Sequence, residues 1–213
     1  MLTDDQEKAY QSILAHQLVY VSGPAGTGKS YLIHHLQQTL QANSTPYFTL
    51  SSTGISAHHS DGMTVHSFLI RLRLKLLTMT KETVLIVDEI SMLGKRVFDQ
   101  LETALRRTFS DEQYFDPRDR TNPFGGCKVI FFGDFAQLPP IDDEFCFASD
   151  AWGCIQAHCE LTTIKRQTEA SFQQFLSRVR TGKLTADDRQ TILKKLSLIR
   201  LNTRKKMPLA QRY

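Results

Sequence analysis

Four short apolar runs recur along the chain, at Gln17–Ser22, Tyr47–Ser51, Thr83–Val87 and Lys128–Phe132, each bounded by turn-forming residues. In the last of them Val129, Ile130, Phe131 and Phe132 follow one another without alternation, the pattern of a strand covered on both faces. Helical patterns fall between several of the runs and after the last, where apolar residues recur at three-to-four spacing (Phe172, Phe175, Leu176, Val179). This predicts helices over Asp4–His16, Ser30–Gln41, Gly94–Thr108, Ala170–Thr181 and Ala186–Leu196. Strands alternating with helices imply βαβ units, hence an α/β fold with a mostly parallel central sheet flanked by helices. Phe109–Gly126, rich in Asp, Pro, Gly and Arg, reads as one long surface loop. Leu69–Thr83 (LIRLRLKLLTMTKET) alternates Arg71, Arg73 and Lys75 with leucines, and reads as a basic-faced strand or as an amphipathic connector.

Polar residues gather where the strands stop, and ligands of parallel sheets bind at those carboxyl ends. The first run leads into Gly23, Pro24, Ala25, Gly26, Thr27, Gly28, Lys29 and Ser30, with P-loop spacing G-x-x-x-x-G-K-S. Its glycines let successive N–H groups and a helix start face the phosphates of ATP. Lys29 would neutralise the β- and γ-phosphates and Ser30 would ligate Mg²⁺. The third run delivers Asp88 and Glu89 (VLIVDEISML), a Walker B pattern in which Asp88 holds the Mg²⁺ shell and Glu89 activates water. Without a P-loop the same pair could simply cap the following helix. The fourth run ends in GDFAQLPP, placing Asp134 and Gln137 at the same edge. The Gln137 amide can both donate to and accept from a γ-phosphate or its attacking water. Pro139 and Pro140 stiffen the exit.

The 213 residues are 41% hydrophobic and 23% charged, which suits an ordinary globular domain. No apolar run approaches the ~18 residues of a membrane span, and the acidic start MLTDDQEKAY is unlike a secretory signal, so the expected location is intracellular. Cys127, Cys146, Cys154 and Cys159 lack C-x-x-C spacing. They are expected to be reduced, and Cys154, His158 and Cys159 read as small apolar packing before they read as zinc ligands. Charge is uneven: residues 1–160 hold 13 Lys and Arg against 19 Asp and Glu, whereas residues 161–213 hold 13 against 3. The basic tail is either a solvated helix or a contact for a polyanion.

The blocks GPAGTGKS, STGISAHHSDGMTVHSF, VLIVDEISML, NPFGGCKVIFFGDFAQLPPI and ELTTIKRQ, in that order, resemble successive motifs of superfamily 1B DNA helicases. The likeness is closest to the petite-integration-frequency family and its RecD-like relatives, and covers roughly residues 2–185. It implies a RecA-like P-loop NTPase domain, the first of two in the motor, that hydrolyses ATP with Mg²⁺ and moves 5′→3′ on DNA. By the same resemblance Gln6 reads adenine, although Thr3 and Gln6 also have the spacing of a capping box. Thr53, Gly54, His66, Ser67 and Phe68 would line a single-stranded DNA track, with core packing as the other reading of Phe68. Arg166 would reach the γ-phosphate, or lie idle on the surface. The family's wedge hairpin is matched only by Leu69–Thr83.

The reading is therefore a motor domain over residues 1–185, followed by a basic tail, 186–213, that begins the connection to a second RecA-like domain absent from these residues. The partners implied are single-stranded DNA and DNA junctions or duplex. The piece is expected to be a monomer, without a membrane partner, and weakly active alone. Two rivals are a small P-loop enzyme of another class, such as a kinase, and a non-catalytic nucleotide- or DNA-binding module. Hydrolysis of ATP stimulated by single strands separates the three.

Overall fold

The computed structural model describes residues 1–110, 115–116, 121–165 and 169–206. In chain order the first part runs α1 (Asp4–Ala15), β1 (Leu18–Ser22), α2 (Lys29–Ala42), β2 (Tyr47–Ser51), α3 (Gly54–His59), β3 (Met63–Thr64), α4 (Val65–Arg73), β4 (Val84–Asp88), α5 (Lys95–Phe109), β5 (Lys128–Gly133) and β6 (Ala157–Glu160). The strands form one six-stranded sheet in the order β3-β2-β4-β5-β1-β6, and every pairing is parallel. The α/β expectation holds, and β5 lies between the strands that carry the P-loop and the Walker B pair.

Side chains alternate across a strand, so an unbroken apolar run feeds two cores at once. Tyr20, Leu85, Val87, Val129 and Phe131 pack with Phe68 of α4 and with Phe98, Leu101 and Leu105 of α5. Val19, Val21, Ile86, Ile130 and Phe132 point the other way, onto Ala9 and Ile13 of α1 and Leu32, Ile33 and Leu36 of α2.

Several expectations need correction. Leu69–Thr83 is no strand: its first part completes α4, whose stripe Val65, Phe68, Leu69 and Leu72 has helical spacing that the Arg-Leu alternation hides. The segment Phe109–Gly126 is not wholly a surface loop. Its residues 111–114 and 117–120 lie outside the described residues, but Phe124 in the turn Pro123–Gly126 is fully buried against Phe98 and Phe131. Contacts divide the chain into two compact units, Met1–Arg166 and Gln167–Tyr213. The second unit holds α6 (Ala170–Arg180) and α7 (Ala186–Lys206), joined by a two-pronged ion pair from Arg178 to Asp188 at 2.6 and 2.7 Å. Residues 207–213 lie outside the described residues.

Candidate functional site

A cleft of about 400 Å³ opens at the carboxyl ends of β1, β4 and β5. It is lined by Ala25, Gly26, Gly28, Lys29, Ser30, Tyr31, Asp88, Glu89, Gln137 and Lys165. The P-loop, the Walker B pair and Gln137, far apart in sequence, thus meet at one place. Gly28 has φ +86°, and a Cβ there would drive into the Gln6 amide, so this position requires glycine. Lys29 begins α2, and its ammonium donates to the carbonyls of Gly23 at 2.5 Å and Pro24 at 3.2 Å. Those carbonyls hold the cation at the loop.

The two carboxylates sit differently. Asp88 ends β4 half-buried, and burial, followed by the neighbouring charge of Glu89, pushes its pKa up to about 6. The Glu89 amide, which donates to Asp88 Oδ1 at 2.9 Å, and the Lys29 charge pull the other way. Glu89 adopts φ 54° and ψ 46°, a left-handed conformation uncommon for a residue with a side chain. Its carbonyl accepts the Ser52 hydroxyl at 2.9 Å. At the end of β5, Asp134 is buried, accepts from the Ala136 amide at 3.1 Å, and faces the Gln137 amide nitrogen at 3.4 Å.

Gln6 is only 2% exposed and occupied at both ends of its amide. Its Oε1 accepts from Thr3 N at 3.0 Å, completing the capping box of α1, while Nε2 donates to the carbonyl of Thr27 at 3.1 Å. The amide expected to read adenine here ties α1 to the P-loop, with Nε2 facing the carbonyls of Thr27 and Gly28 and a second lone pair left on Oε1. Asp5 makes a second tie. Its carboxylate accepts the amides of Thr162 at 2.8 Å and Thr163 at 2.9 Å, and Lys165 N donates to Gly26 O at 2.8 Å. The stretch after β6 is thereby strapped along the P-loop, which brings Lys165 to the cleft. Arg166 itself lies outside the described residues.

Of the residues expected to line a DNA track, Gly54 and His66 are exposed, Thr53 and Ser67 half-buried and Phe68 buried. Thr53 caps α3, accepting from Ser56 N at 3.2 Å, and Gly54 has open space where a side chain would be. His66 is exposed on α4, and the Ser67 hydroxyl receives that of Thr64 at 2.9 Å. Phe68 is 0% exposed and packs on Phe48 with ring centroids 5.5 Å apart. A ring with no open face cannot stack on a base, so Phe68 is a core residue. Lys165, Tyr31, Asp5 and Ser52 were missed. Of these only Lys165 left a trace, as the residue before Arg166 in the KRQ block.

Among the described residues no group of three or more His, Cys, Asp or Glu could hold a metal, and the four cysteines are free. His158 instead shares a 2.8 Å hydrogen bond with Ser22 Oγ and stacks on Tyr20. The cleft's own donor set, the Ser30 hydroxyl and the half-buried Asp88 carboxylate, consists of hard oxygens. It suits Mg²⁺ brought in with nucleotide phosphates better than a cage built by protein alone.

Comparison with known proteins decides the family. The PIF1-like helicase profile matches residues 1–190. The chain belongs to the PIF1-like helicase family. It is 35% identical to the ATP-dependent DNA helicase PIF1 of Danio rerio, over 91% of this chain and 32% of that protein. It is 33% identical to the ATP-dependent DNA helicase RRM3 of Saccharomyces cerevisiae, over 90% of this chain and 29% of that protein. The crystal structure of Pif1 helicase from Candida albicans superposes with a TM-score of 0.76 at 30% identity, covering 90% of this chain and 47% of that one. Pif1 from Bacteroides in complex with ADP-AlF3 and single-stranded DNA gives 0.71 at 27%, over 88% and 48%. The chain thus spans about a third of the length of its PIF1 relatives.

Proposed function

We propose that this chain is the ATP-hydrolysing motor domain of a DNA helicase that moves 5′→3′ on single-stranded DNA, working with a second RecA-like domain outside these 213 residues. One observation carries the reading: a PIF1-like chain brings Lys29, Ser30, Asp88, Glu89 and Gln137 to a single cleft at the ends of parallel strands. Bound ATP would draw the Lys29 ammonium off the Gly23 and Pro24 carbonyls, because a triphosphate offers it far more negative charge. Ser30 and Asp88 would hold Mg²⁺, which neutralises phosphate charge. Glu89 would take the proton of the attacking water, and Gln137 would sense the γ-phosphate. Thr53, Gly54, His66 and Ser67 lie beyond the ends of β2 and β3 and would meet the DNA backbone, a contact that needs no base sequence. Arg166 would add a cation on the γ-phosphate side.

The test is ATP hydrolysis by the chain with and without oligo-dT. The chain should turn over ATP slowly by itself. Lys29→Ala should abolish that turnover, and Glu89→Gln should keep Mg-ATP binding by calorimetry while losing hydrolysis, since an amide cannot accept the proton. Tight ATP binding with no turnover in the wild type would favour a non-catalytic module instead.

A further inference from the structure

Between the expected DNA track and the expected base of the reaction the structure contains one short side-chain bridge. Strand β2 ends at Ser51, whose register partner on β4 is Asp88. One residue further on, where both strands leave the sheet, the Ser52 hydroxyl donates to the Glu89 carbonyl at 2.9 Å. Glu89 is left-handed, with φ 54° and ψ 46°, a geometry that is strained for a non-glycine residue and persists only where neighbours impose it. A hydrogen bond to its own carbonyl fixes ψ, and so the direction in which the Glu89 side chain leaves the backbone. Two further hydroxyls flank the bridge. Ser51 and Ser91 are both 0% exposed and without a hydrogen-bond partner among the described residues. A buried hydroxyl left unpaired is costly, so this turn is held in an arrangement whose polar groups are not all satisfied. On its other side Ser52 adjoins Thr53 and Gly54.

We propose that Ser52 is the positioning residue through which single-stranded DNA at Thr53 and Gly54 sets the Glu89 peptide, and with it the rate of ATP hydrolysis. The proposal rests on the helicase reading of the cleft. A strand that engages Thr53 and Gly54 displaces Ser52, and the hydroxyl carries that displacement to Glu89. Every atom of the bridge lies within the unit Met1–Arg166, so the coupling operates in this chain without a second motor domain.

Single-turnover ATP hydrolysis and oligo-dT anisotropy on the 213-residue protein decide it. Wild type should bind oligo-dT and hydrolyse ATP at least about fivefold faster with it, the low end of ordinary coupling between sites. Ser52→Ala should bring that factor towards one while its KM for ATP and its Kd for oligo-dT stay within about twofold of wild type, a split that a packing defect would not produce. Ser52→Thr, which keeps a hydroxyl, should restore the factor. An undiminished factor in Ser52→Ala or a Thr variant as impaired as the Ala variant would overturn the proposal and leave the helicase reading standing; a wild type that binds oligo-dT and hydrolyses ATP without stimulation would overturn the proposal as well and weaken that reading. Turnover that survives Lys29→Ala, or no binding of oligo-dT at all, would overturn that reading, and the proposal with it.

Discussion

Phe68 shows how one residue can satisfy a motif and still do something other than the motif's reputed work. It follows His66 and Ser67 at the start of α4, where a track for single-stranded DNA was expected, yet its ring fills the core against Phe48 of β2. What Phe68 contributes is stability. Phe68→Ala should cost about 3–5 kcal/mol, the usual range for emptying a buried aromatic site, read as a lower urea midpoint. Oligo-dT affinity measured well below the melting temperature should be unchanged. A variant that unfolds like wild type but binds DNA poorly would return Phe68 to the track. Gln6 is the converse case: the capping-box spacing was legible, whereas its bond to Thr27 O depends on the fold bringing α1 beside the P-loop. Sequence spacing reports partners three or four residues away. It is silent on a partner twenty-one residues away.

At the scale of elements, the strap formed by Asp5 and the stretch after β6 is the most consequential tie not foreseen. Burial opposes the charge on Asp5, but donors outweigh it: the Thr3 hydroxyl and the amides of Thr163 and Thr162 hold its pKa well below the ordinary 3.8. A carboxyl whose pKa is depressed on folding stabilises the folded state above the unfolded pKa, and that stabilisation fades as pH falls through the folded pKa. Asp5→Asn should therefore lower the urea midpoint at pH 7. The gap from wild type should be constant down to about pH 5 and should narrow below about pH 4. A gap that stays the same at pH 3 would mean the strap is held by something other than the charge. The elements themselves were legible in proportion to their apolar signal. β1, β2, β4 and β5 were found to within a residue because strands buried on both faces are written as apolar runs. β6 was missed: as an edge strand it alternates half-buried and exposed residues, and AHCE carries no run. β3 has two residues, too few for any period to show. The P-loop and Walker B positions were legible from local spacing, but the cleft's Lys165 was not, since it arrives through the Asp5 strap and its own bond to Gly26 O.

At the scale of the whole molecule, charge is divided unevenly between the two ends of the chain. Residues 1–160 carry six more acidic than basic side chains, and these residues contain the cleft's phosphate loop and the expected DNA track. Exposed charges further apart than the Debye length, ~8–10 Å at ordinary salt, are largely screened, so a polyanion there meets the local cations of the cleft and gains little from the rest of these residues. Residues 161–213 carry ten more basic than acidic side chains, almost all of them in the unit Gln167–Tyr213. If those cations bind DNA phosphates, they release counterions, and the logarithm of affinity falls with the logarithm of salt by about 0.7 for each phosphate engaged on a single strand. Both hydrophobic cores draw only on residues of the first unit, so a chain ending at Arg166 should fold cooperatively and bind Mg-ATP. Against the full 213 residues, that shorter chain should bind oligo-dT more weakly, and its plot of log affinity against log KCl should be flatter by at least about two, the equivalent of three phosphates. Equal slopes would assign the polar contacts to Thr53, Gly54, His66 and Ser67 alone and leave the basic unit a solvated pair of helices. A flatter slope would make it the part of the chain that engages the oligo-dT phosphates and offsets the acidity of residues 1–160.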